Sequence, residues 1–149
     1  MITWKLIGFH QMDVTELYAY LALRSEVFIV EQNCPYQDLD GLDAQAQHLL
    51  AFDGERPVAC ARLFAPGIVY TEASIGRVIT KPSHRSQSLG KELMKRSIEI
   101  LVQQFNNPPI QIGAQAYLER FYEGFGFKRI GDIYLEDNIP HIKMLRHPM

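Results

Sequence analysis

The eight residues from His84 to Lys91 have the composition of a binding site for a pyrophosphate. They lie between a predicted strand and a predicted helix, so several backbone N–H groups and the positive end of the helix dipole would point to one place. Gly90 would let the backbone approach a ligand closely, and Arg85 and Lys91 add positive charge. The segment has neither the spacing of a P-loop nor that of a dinucleotide-binding turn. Taken alone, it would also suit a solvated basic helix N-terminus.

A second segment, from Ala114 to Phe127, predicts a short aromatic helix that begins just after a strand. Its Tyr122 carries a phenol with an ordinary pKa of about 10. Such a group could protonate a departing thiolate whose conjugate acid has a pKa of about 8.5. The alternative is a plain core aromatic, which is the interpretation we favour for the three neighbouring phenylalanines, Phe121, Phe125 and Phe127.

Three segments together resemble the GNAT superfamily of N-acetyltransferases and, within it, the ElaA-type group, over nearly the whole chain. The acetyl-CoA loop pattern Arg/Gln-x-x-Gly-x-Gly/Ala is matched from Arg85 to Gly90, with Ser88 in place of the first glycine. A later Phe-Tyr and Gly-Phe motif is matched by Phe121-Tyr122 and Gly126-Phe127. The early matches, more typical of the subgroup, are Arg24, Val27 to Gln32, Cys34 to Tyr36, Asp38, Asp40, Gly41, Asp43 and His48.

The resemblance implies a single α/β domain over residues 1–149, with a V-shaped split between the fourth and fifth strands of a mixed, mostly antiparallel sheet. The strand before the phosphate loop would hold the pantetheine arm, with a backbone N–H near Ile79 polarising the acetyl carbonyl. Tyr122 would be the general acid for the CoA thiolate. The implied ligands of the co-substrate acetyl-CoA are Val78, Ile79, Thr80, Arg85, Ser86, Gln87, Ser88, Leu89, Gly90, Lys91, Gln115 and Tyr122.

Direct acetyl transfer requires a neutral amine, so some group must accept the proton of the acceptor. The candidates are Glu31, His48 and His141. Histidine has the better ordinary pKa for this role near pH 7, whereas burial could raise the pKa of Glu31. His48 could instead only order the neighbouring loop, and His141 could cap a turn. The residues alone do not decide between them.

The acidic stretch around Asp38, Asp40 and Asp43 suggests a negative rim that attracts a cationic amine. A solvated acidic loop is the alternative, and a calcium site lacks its closing glutamate, so we expect no metal. Arg77 on a predicted strand could contact the acceptor or pair with these acids, as could Arg62. The expected acceptor-binding residues are Glu31, Asp40, Asp43, Arg77 and His141.

The predicted elements follow the order β-α-β-β-β-α-β-α-β-β. Asp13, three residues before Glu16, predicts the start of the first helix, which would run to about Val30. Asp53-Gly54 predicts a hairpin, and Gly126 the end of the third helix. A parallel crossover between the strand at 73–80 and the strand at 110–114 predicts a mixed sheet flanked by helices.

The composition is typical of one globular domain: 149 residues, 47% of them apolar and 21% charged. With 15 basic against 17 acidic residues, the chain does not have the charge of a nucleic-acid-binding protein. No stretch approaches the ~20 apolar residues of a membrane span, and the two cysteines lack metal or Cys-x-x-Cys spacing. We therefore expect a cytoplasmic protein without nucleic-acid or membrane partners. A homodimer is expected because many folds of this class pair through late strands.

Two other functions stay open from the sequence. Ser88 in the acetyl-CoA loop is compatible with a module that senses acyl-CoA without turnover. The segment from Val27 to Gln32 resembles that of acyltransferases that make homoserine-lactone signals, which is compatible with a longer acyl chain.

Overall fold

Seven strands form one mixed sheet with helices on both faces, in the chain order predicted from the sequence. The computed structural model describes residues 1–149. The strands and helices are β1 Ile2–Gly8, α1 Val14–Arg24, β2 Gln47–Asp53, β3 Arg56–Phe64, β4 Ala73–Thr80, α2 Leu89–Gln104, β5 Ile110–Gln115, α3 Glu119–Glu123, β6 Lys128–Glu136 and β7 Ile139–Arg146. The sheet order is β1-β2-β3-β4-β5-β7-β6, and all pairs except β4–β5 are antiparallel. No helix is both long enough and apolar enough to cross a membrane.

Local signals in the sequence fix several boundaries of these elements. The Asp13 carboxylate accepts a hydrogen bond of 2.8 Å from the Glu16 N–H and so caps α1. Asp53 pairs with Arg56 across the β2–β3 turn, where Gly54 has a positive φ of 64°. Gly126, with a φ of 91°, ends the α3 segment as predicted.

The apolar core has two parts, one on each face of the sheet. The larger part packs α2 and α3 against residues such as Leu49, Ile112 and Met144. The smaller part packs α1 against the opposite face, through Leu50 and Ile79 among others. Successive strand residues alternate between the two parts, as the period of a β-strand requires.

The first helix differs from the prediction in shape and in its buried face. It was expected to run to about Val30, but α1 ends at Arg24 and continues as a wider π-helical segment, Ser25–Glu31. The apolar spacing predicts Leu17, Leu21, Val27 and Phe28 as its buried face. Val27 is buried, but the other three are only half-buried, and Tyr20 and Leu23 are buried instead. Arg24 lies on the same buried face, where its guanidinium binds Asp38 and Asp43.

The predicted split between β4 and β5 is confirmed. The two parallel strands pair only at Ala73–Ile110 and Ser74–Gln111, and no residues pair beyond these. We use "the split" for the gap between residues 75–80 of β4 and residues 112–115 of β5. Backbone groups that face this gap have no ladder partner, so they can hydrogen-bond a molecule placed between the strands.

Candidate active site

Three elements meet at the open end of the split. A Cβ placed at Gly90, in the first turn of α2, would lie 3.8 Å from the Thr80 hydroxyl oxygen and 3.8 Å from the Phe121 ring. The end of β4, the start of α2 and the aromatic segment of α3 are therefore neighbours. β4 is also bulged here, where Arg77 takes a positive φ of 48°. The predicted cofactor residues of the three segments are thus brought together.

The loop before α2 keeps the shape that a glycine would give it. Ser88 has φ 58° and ψ 25°, in the left-handed region that favours glycine, and α2 begins at the next residue. A non-glycine residue there costs about 1–2 kcal/mol. The side chains of Ser86, Gln87, Ser88 and Lys91 are exposed, while that of Leu89 is buried, so Leu89 can offer only its backbone N–H.

Arg85 and Glu31 form an ion pair through both guanidinium nitrogens and both carboxylate oxygens. Arg85 also donates to the Thr80 carbonyl at 3.1 Å, so its side chain lies across the end of β4. The hydrogen bonds and charge of Arg85 hold the pKa of Glu31 below its ordinary value. A carboxylate of lowered pKa is a weak base, so this contact favours Glu31 as a partner of Arg85 over Glu31 as the proton acceptor.

Tyr122 is buried on α3, with its ring in edge contact with Phe121 and Phe127. Its hydroxyl has no hydrogen-bond partner in the protein. The hydroxyl oxygen is nevertheless not sealed from solvent. Burial raises the pKa of Tyr122 above its ordinary value, so the phenol is protonated at neutral pH. The hydroxyl proton of Tyr122 therefore has no acceptor within the protein.

The predicted acidic rim is instead a neutral ion cluster. Three arginines and three aspartates form it, and we call them the arginine–aspartate cluster. Its members are Arg24, Arg62, Arg77, Asp38, Asp40 and Asp43. Arg62 binds both oxygens of Asp40 at 2.8 Å, and Arg24 binds Asp43 at 2.7 Å. The acids are therefore neutralised, which contradicts a negative surface that attracts an amine. No group of three or more His, Cys, Asp or Glu residues is placed to hold a metal ion.

Arg77 joins this cluster to the split. Its side chain donates to the Asp38 carboxylate at 2.7 Å and to the Asp38 carbonyl at 3.0 Å. The guanidinium also lies over the rings of Phe28 and Tyr36. The contacts of Arg77 are thus those of a charge paired with the acids of the loop. This pairing holds Arg77 at the bulge of β4.

His48 is fully buried, with both ring nitrogens bonded to the protein. Its Nε2 lies 2.9 Å from the Asp43 carbonyl, which can only accept, so Nε2 carries the proton. Its Nδ1 then accepts from the Tyr20 hydroxyl at 2.7 Å. Burial lowers the pKa of His48, which keeps the ring neutral. These contacts favour the loop-ordering role for His48, because the ring has no free nitrogen and no access to an acceptor.

His141 and Gln115 lie on the other side of the split and face each other across β5 and β7. The Nδ1 of His141 approaches the Ile139 carbonyl at 2.7 Å and must donate to it, so in the neutral ring Nε2 is the free acceptor. That nitrogen lies 3.4 Å from the Glu136 carboxylate. Gln115 donates to the side chain of Gln32, at the end of the π-helical segment, at 3.4 Å.

Sequence reasoning missed two residues that shape this site. Arg24 was matched only as part of a motif, yet it binds two aspartates and anchors the loop at 33–46. Gln32 bridges the π-helical segment to β5 across the split. Neither partner could be identified from spacing, since Gln32 and Gln115 are 83 positions apart.

Comparison with known proteins agrees with this geometry. The family model of the acetyltransferase (GNAT) domain matches residues 11–147. Protein ElaA of Escherichia coli K12 is 40% identical over 148 residues, which is 98% of this chain and 97% of that protein. The crystal structure of Escherichia coli ElaA has a TM-score of 0.91 at 40% identity, covering 99% of this chain and 100% of that one. An acyl-CoA N-acyltransferase from Pseudomonas aeruginosa has a TM-score of 0.93 at 39% identity, covering 98% and 99%.

Proposed function

The chain belongs to the GNAT acetyltransferase family and is an acyltransferase, and we propose that it moves an acetyl group from acetyl-CoA directly to a primary amine. The observation that carries this proposal is the split, where β4 and β5 separate after two residue pairs beside the N-terminus of α2. An acyl-thioester arm placed there would find unpaired backbone groups on both sides. The acceptor is a small molecule or a peptide amine.

The co-substrate would bind along β4 and α2. We assign the pyrophosphate to the backbone N–H groups from Ser88 to Lys91, with the left-handed Ser88 supplying the turn. Val78, Ile79 and Thr80 would hold the pantetheine arm and polarise the thioester carbonyl. Tyr122 would protonate the leaving thiolate.

Among the three candidate bases, we propose His141. In the neutral ring its second nitrogen, Nε2, is an acceptor, and the Glu136 carboxylate 3.4 Å from that nitrogen would pair with it once it has taken a proton. It also lies directly across the sheet from Gln115, at the free end of β5. Glu31 is committed to Arg85, and His48 is enclosed in the core.

The test of the proposed function is release of free CoA from acetyl-CoA in the presence of a panel of primary amines. We expect release that depends on the amine, together with a raised melting temperature in the presence of CoA. Stabilisation by CoA without turnover for any amine would instead favour a sensor. Faster turnover of long-chain acyl-CoA than of acetyl-CoA would favour the longer acyl chain.

Glu31→Gln separates a base from an ion-pair partner. As the partner of Arg85, Glu31 is partly exposed, and pairs of this kind contribute about 0.2–1 kcal/mol. We expect kcat to stay within about threefold, and the Kd for CoA to fall by up to about fivefold because Arg85 is freed for the pyrophosphate. Calorimetry and steady-state kinetics measure the two effects.

The matched comparison is His141→Gln, which keeps a hydrogen-bonding side chain but removes the basic nitrogen. We expect kcat to fall by roughly 10²-fold or more in this variant. A large loss of kcat in Glu31→Gln, with near-normal turnover in His141→Gln, would reverse the assignment.

A homodimer and a cytoplasmic location remain part of the proposal. β6 forms one edge of the sheet and exposes Ile130, Ile133 and Leu135, which would suit pairing through late strands. Both cysteines are free and buried, which is compatible with a reducing compartment.

A further inference from the structure

Lys143 on β7 is a half-buried cation without an acidic partner. Its ammonium donates to the Tyr70 hydroxyl at 2.7 Å. It also lies 4.7 Å from the centre of the Tyr70 ring and 5.2 Å from that of Tyr134. No carboxylate lies within 4.0 Å of it, in contrast to every arginine of the arginine–aspartate cluster. The charge is therefore held in place by aromatic rings and is not neutralised.

The side chains of Lys143, Tyr70 and Tyr134 together offer more hydrogen-bond donors than acceptors. Lys143 keeps two N–H groups after its bond to Tyr70, and the Tyr70 hydroxyl keeps its own proton. The Tyr134 hydroxyl is sealed from solvent and lies beside the Lys143 ammonium, which can only donate to it, so the phenol proton has no acceptor. A buried donor without an acceptor calls for an explanation, and an anion would accept from all three side chains.

Gly113 forms the floor of this cluster. A Cβ at Gly113 would lie 3.2 Å from the Tyr134 hydroxyl, 3.4 Å from the Tyr70 hydroxyl and 3.8 Å from the Lys143 ammonium. Three polar groups from three separate segments thus converge above one backbone position. A side chain on β5 at this position would crowd them.

The cluster lies beside the split, on the face where the acceptor would stand. Gly113 is the second residue of β5 beyond its last pair with β4, and Lys143 is directly opposite it on β7. Two residues further along the same face, Gln115 is opposite His141. This spacing is about 7 Å along a strand, enough for one small molecule to touch both rows.

We propose that Lys143, Tyr70 and Tyr134 bind a carboxylate of the acceptor, so that the acceptor is an amino acid: a small molecule with an amine and a carboxylate. This inference rests on the proposed function. The carboxylate oxygens accept from the ammonium and the hydroxyls, and the amine is directed toward His141 and the split. The long lysine stem lets the ammonium turn to admit the anion.

The reaction leaves the bound carboxylate unchanged. The ammonium of the acceptor gives one proton to His141, and the nitrogen lone pair attacks the thioester carbonyl carbon. A C–N bond forms, the C–S bond breaks, and the electron pair leaves with sulfur. The second proton of the nitrogen passes to water as the amide forms, the thiolate takes a proton from Tyr122, and the Tyr122 phenolate regains a proton from water.

The experiment compares each amino acid with its carboxamide, which lacks the negative charge of the carboxylate. The probes are the common L-amino acids, β-alanine and γ-aminobutyrate, each measured beside its carboxamide with acetyl-CoA. We expect kcat/KM to favour the acid over the amide by about ten- to a hundredfold, the effect of a hydrogen bond to a charged group. In Lys143→Met this preference disappears, in Lys143→Arg it is partly kept, and in Lys95→Met, which removes an exposed lysine of α2, it is unchanged.

Tyr70→Phe is the milder variant if Lys143→Met does not fold, and melting temperatures report folding for each. Equal use of acids and amides by the parent protein, a preference that survives in the folded Lys143→Met variant, or a preference that is undiminished in the folded Tyr70→Phe variant overturns the inference. Calorimetry with the CoA-bound protein provides a readout besides turnover. If no amine is acetylated, the proposed function fails, but Lys143-dependent binding of an amino acid still supports the carboxylate site, and its absence overturns it.

Discussion

Tyr122→Phe should lower turnover by roughly 10²–10⁴-fold with little change in melting temperature or in CoA affinity. The substitution keeps the ring that packs between Phe121 and Phe127 and removes only the hydroxyl. That hydroxyl makes no hydrogen bond within the protein, so no structural contact is lost with it. The expected loss is therefore confined to the chemical step.

The protonation state of Tyr122 supports this role. Burial raises its pKa, so the phenol carries its proton at neutral pH, although the same shift makes it a weaker acid toward the thiolate. The other phenol of this segment, Tyr117 in the turn before α3, is exposed and lies close enough to raise the pKa of Tyr122 further.

The measurement is the single-turnover rate with saturating acetyl-CoA and the best amine of the panel, together with the Kd for CoA. Tyr18→Phe is the matched control, since it removes a phenol from an exposed position of α1 and should behave like the parent. Parent-like turnover in Tyr122→Phe would make Tyr122 a core aromatic and would assign the proton to solvent or to another group.

The order of strands and helices could be predicted because it depends on neighbours in sequence. Asp13 caps α1 through a residue three positions away, and Gly126 ends the α3 segment through its own backbone angle. The turn between β4 and α2 could be predicted for the same reason, but the left-handed angle that Ser88 adopts there was not predicted, because a serine stands where the pattern has a glycine. Such features need no knowledge of the tertiary structure.

The pairing of charges could not be decided from the sequence, which left pairing of Arg62 and Arg77 with the loop acids as one alternative, since it depends on distant segments. Asp40 and Asp43 look like a negative surface in sequence, but their partners Arg24 and Arg62 lie 19 to 22 positions away. The sequence leaves Glu31 as a candidate base, whereas in the structure it pairs with Arg85, which lies 54 positions later in the chain. The π-helical segment was missed because its wider turn departs from the 3.6-residue period used to predict helices.

The arginine–aspartate cluster is expected to be the most sensitive point of the fold. Arg24→Ala should lower the free energy of unfolding by up to about 3–5 kcal/mol, because it removes a fully buried side chain and one of the two arginines that bind each of Asp38 and Asp43. The guanidinium is fully buried and bonds Asp38 at 3.0 Å, Asp43 at 2.7 Å and the Tyr20 hydroxyl at 3.3 Å. A loss of this size is a large share of the 5–15 kcal/mol typical of a domain.

The same cluster makes the stability of the fold depend on pH in the acid range. Burial raises the pKa of Asp43, but the hydrogen bonds and charges of Arg24 and Arg62 outweigh it and hold the pKa below its ordinary value. The folded protein then binds fewer protons than the unfolded chain below about pH 4. Stability from this group is therefore present above that pH and is lost as the pH falls through the folded pKa.

Urea unfolding at pH 7 and at about pH 3 measures both effects of Arg24→Ala, because stability from Asp43 is lost only below about pH 4. Arg96→Ala is the matched control, because its half-exposed side chain pairs with Glu92 four residues earlier on α2, lies over the Trp4 ring and should cost about 1–2 kcal/mol. In Arg24→Ala the pKa of Asp43 is lowered less, because only Arg62 remains beside it, so the loss of stability between the two pH values should be smaller than in the parent. A change at pH 7 as small as that of Arg96→Ala, with the acid dependence intact, would mean that Arg62 and Arg77 alone hold the loop at 33–46 in place.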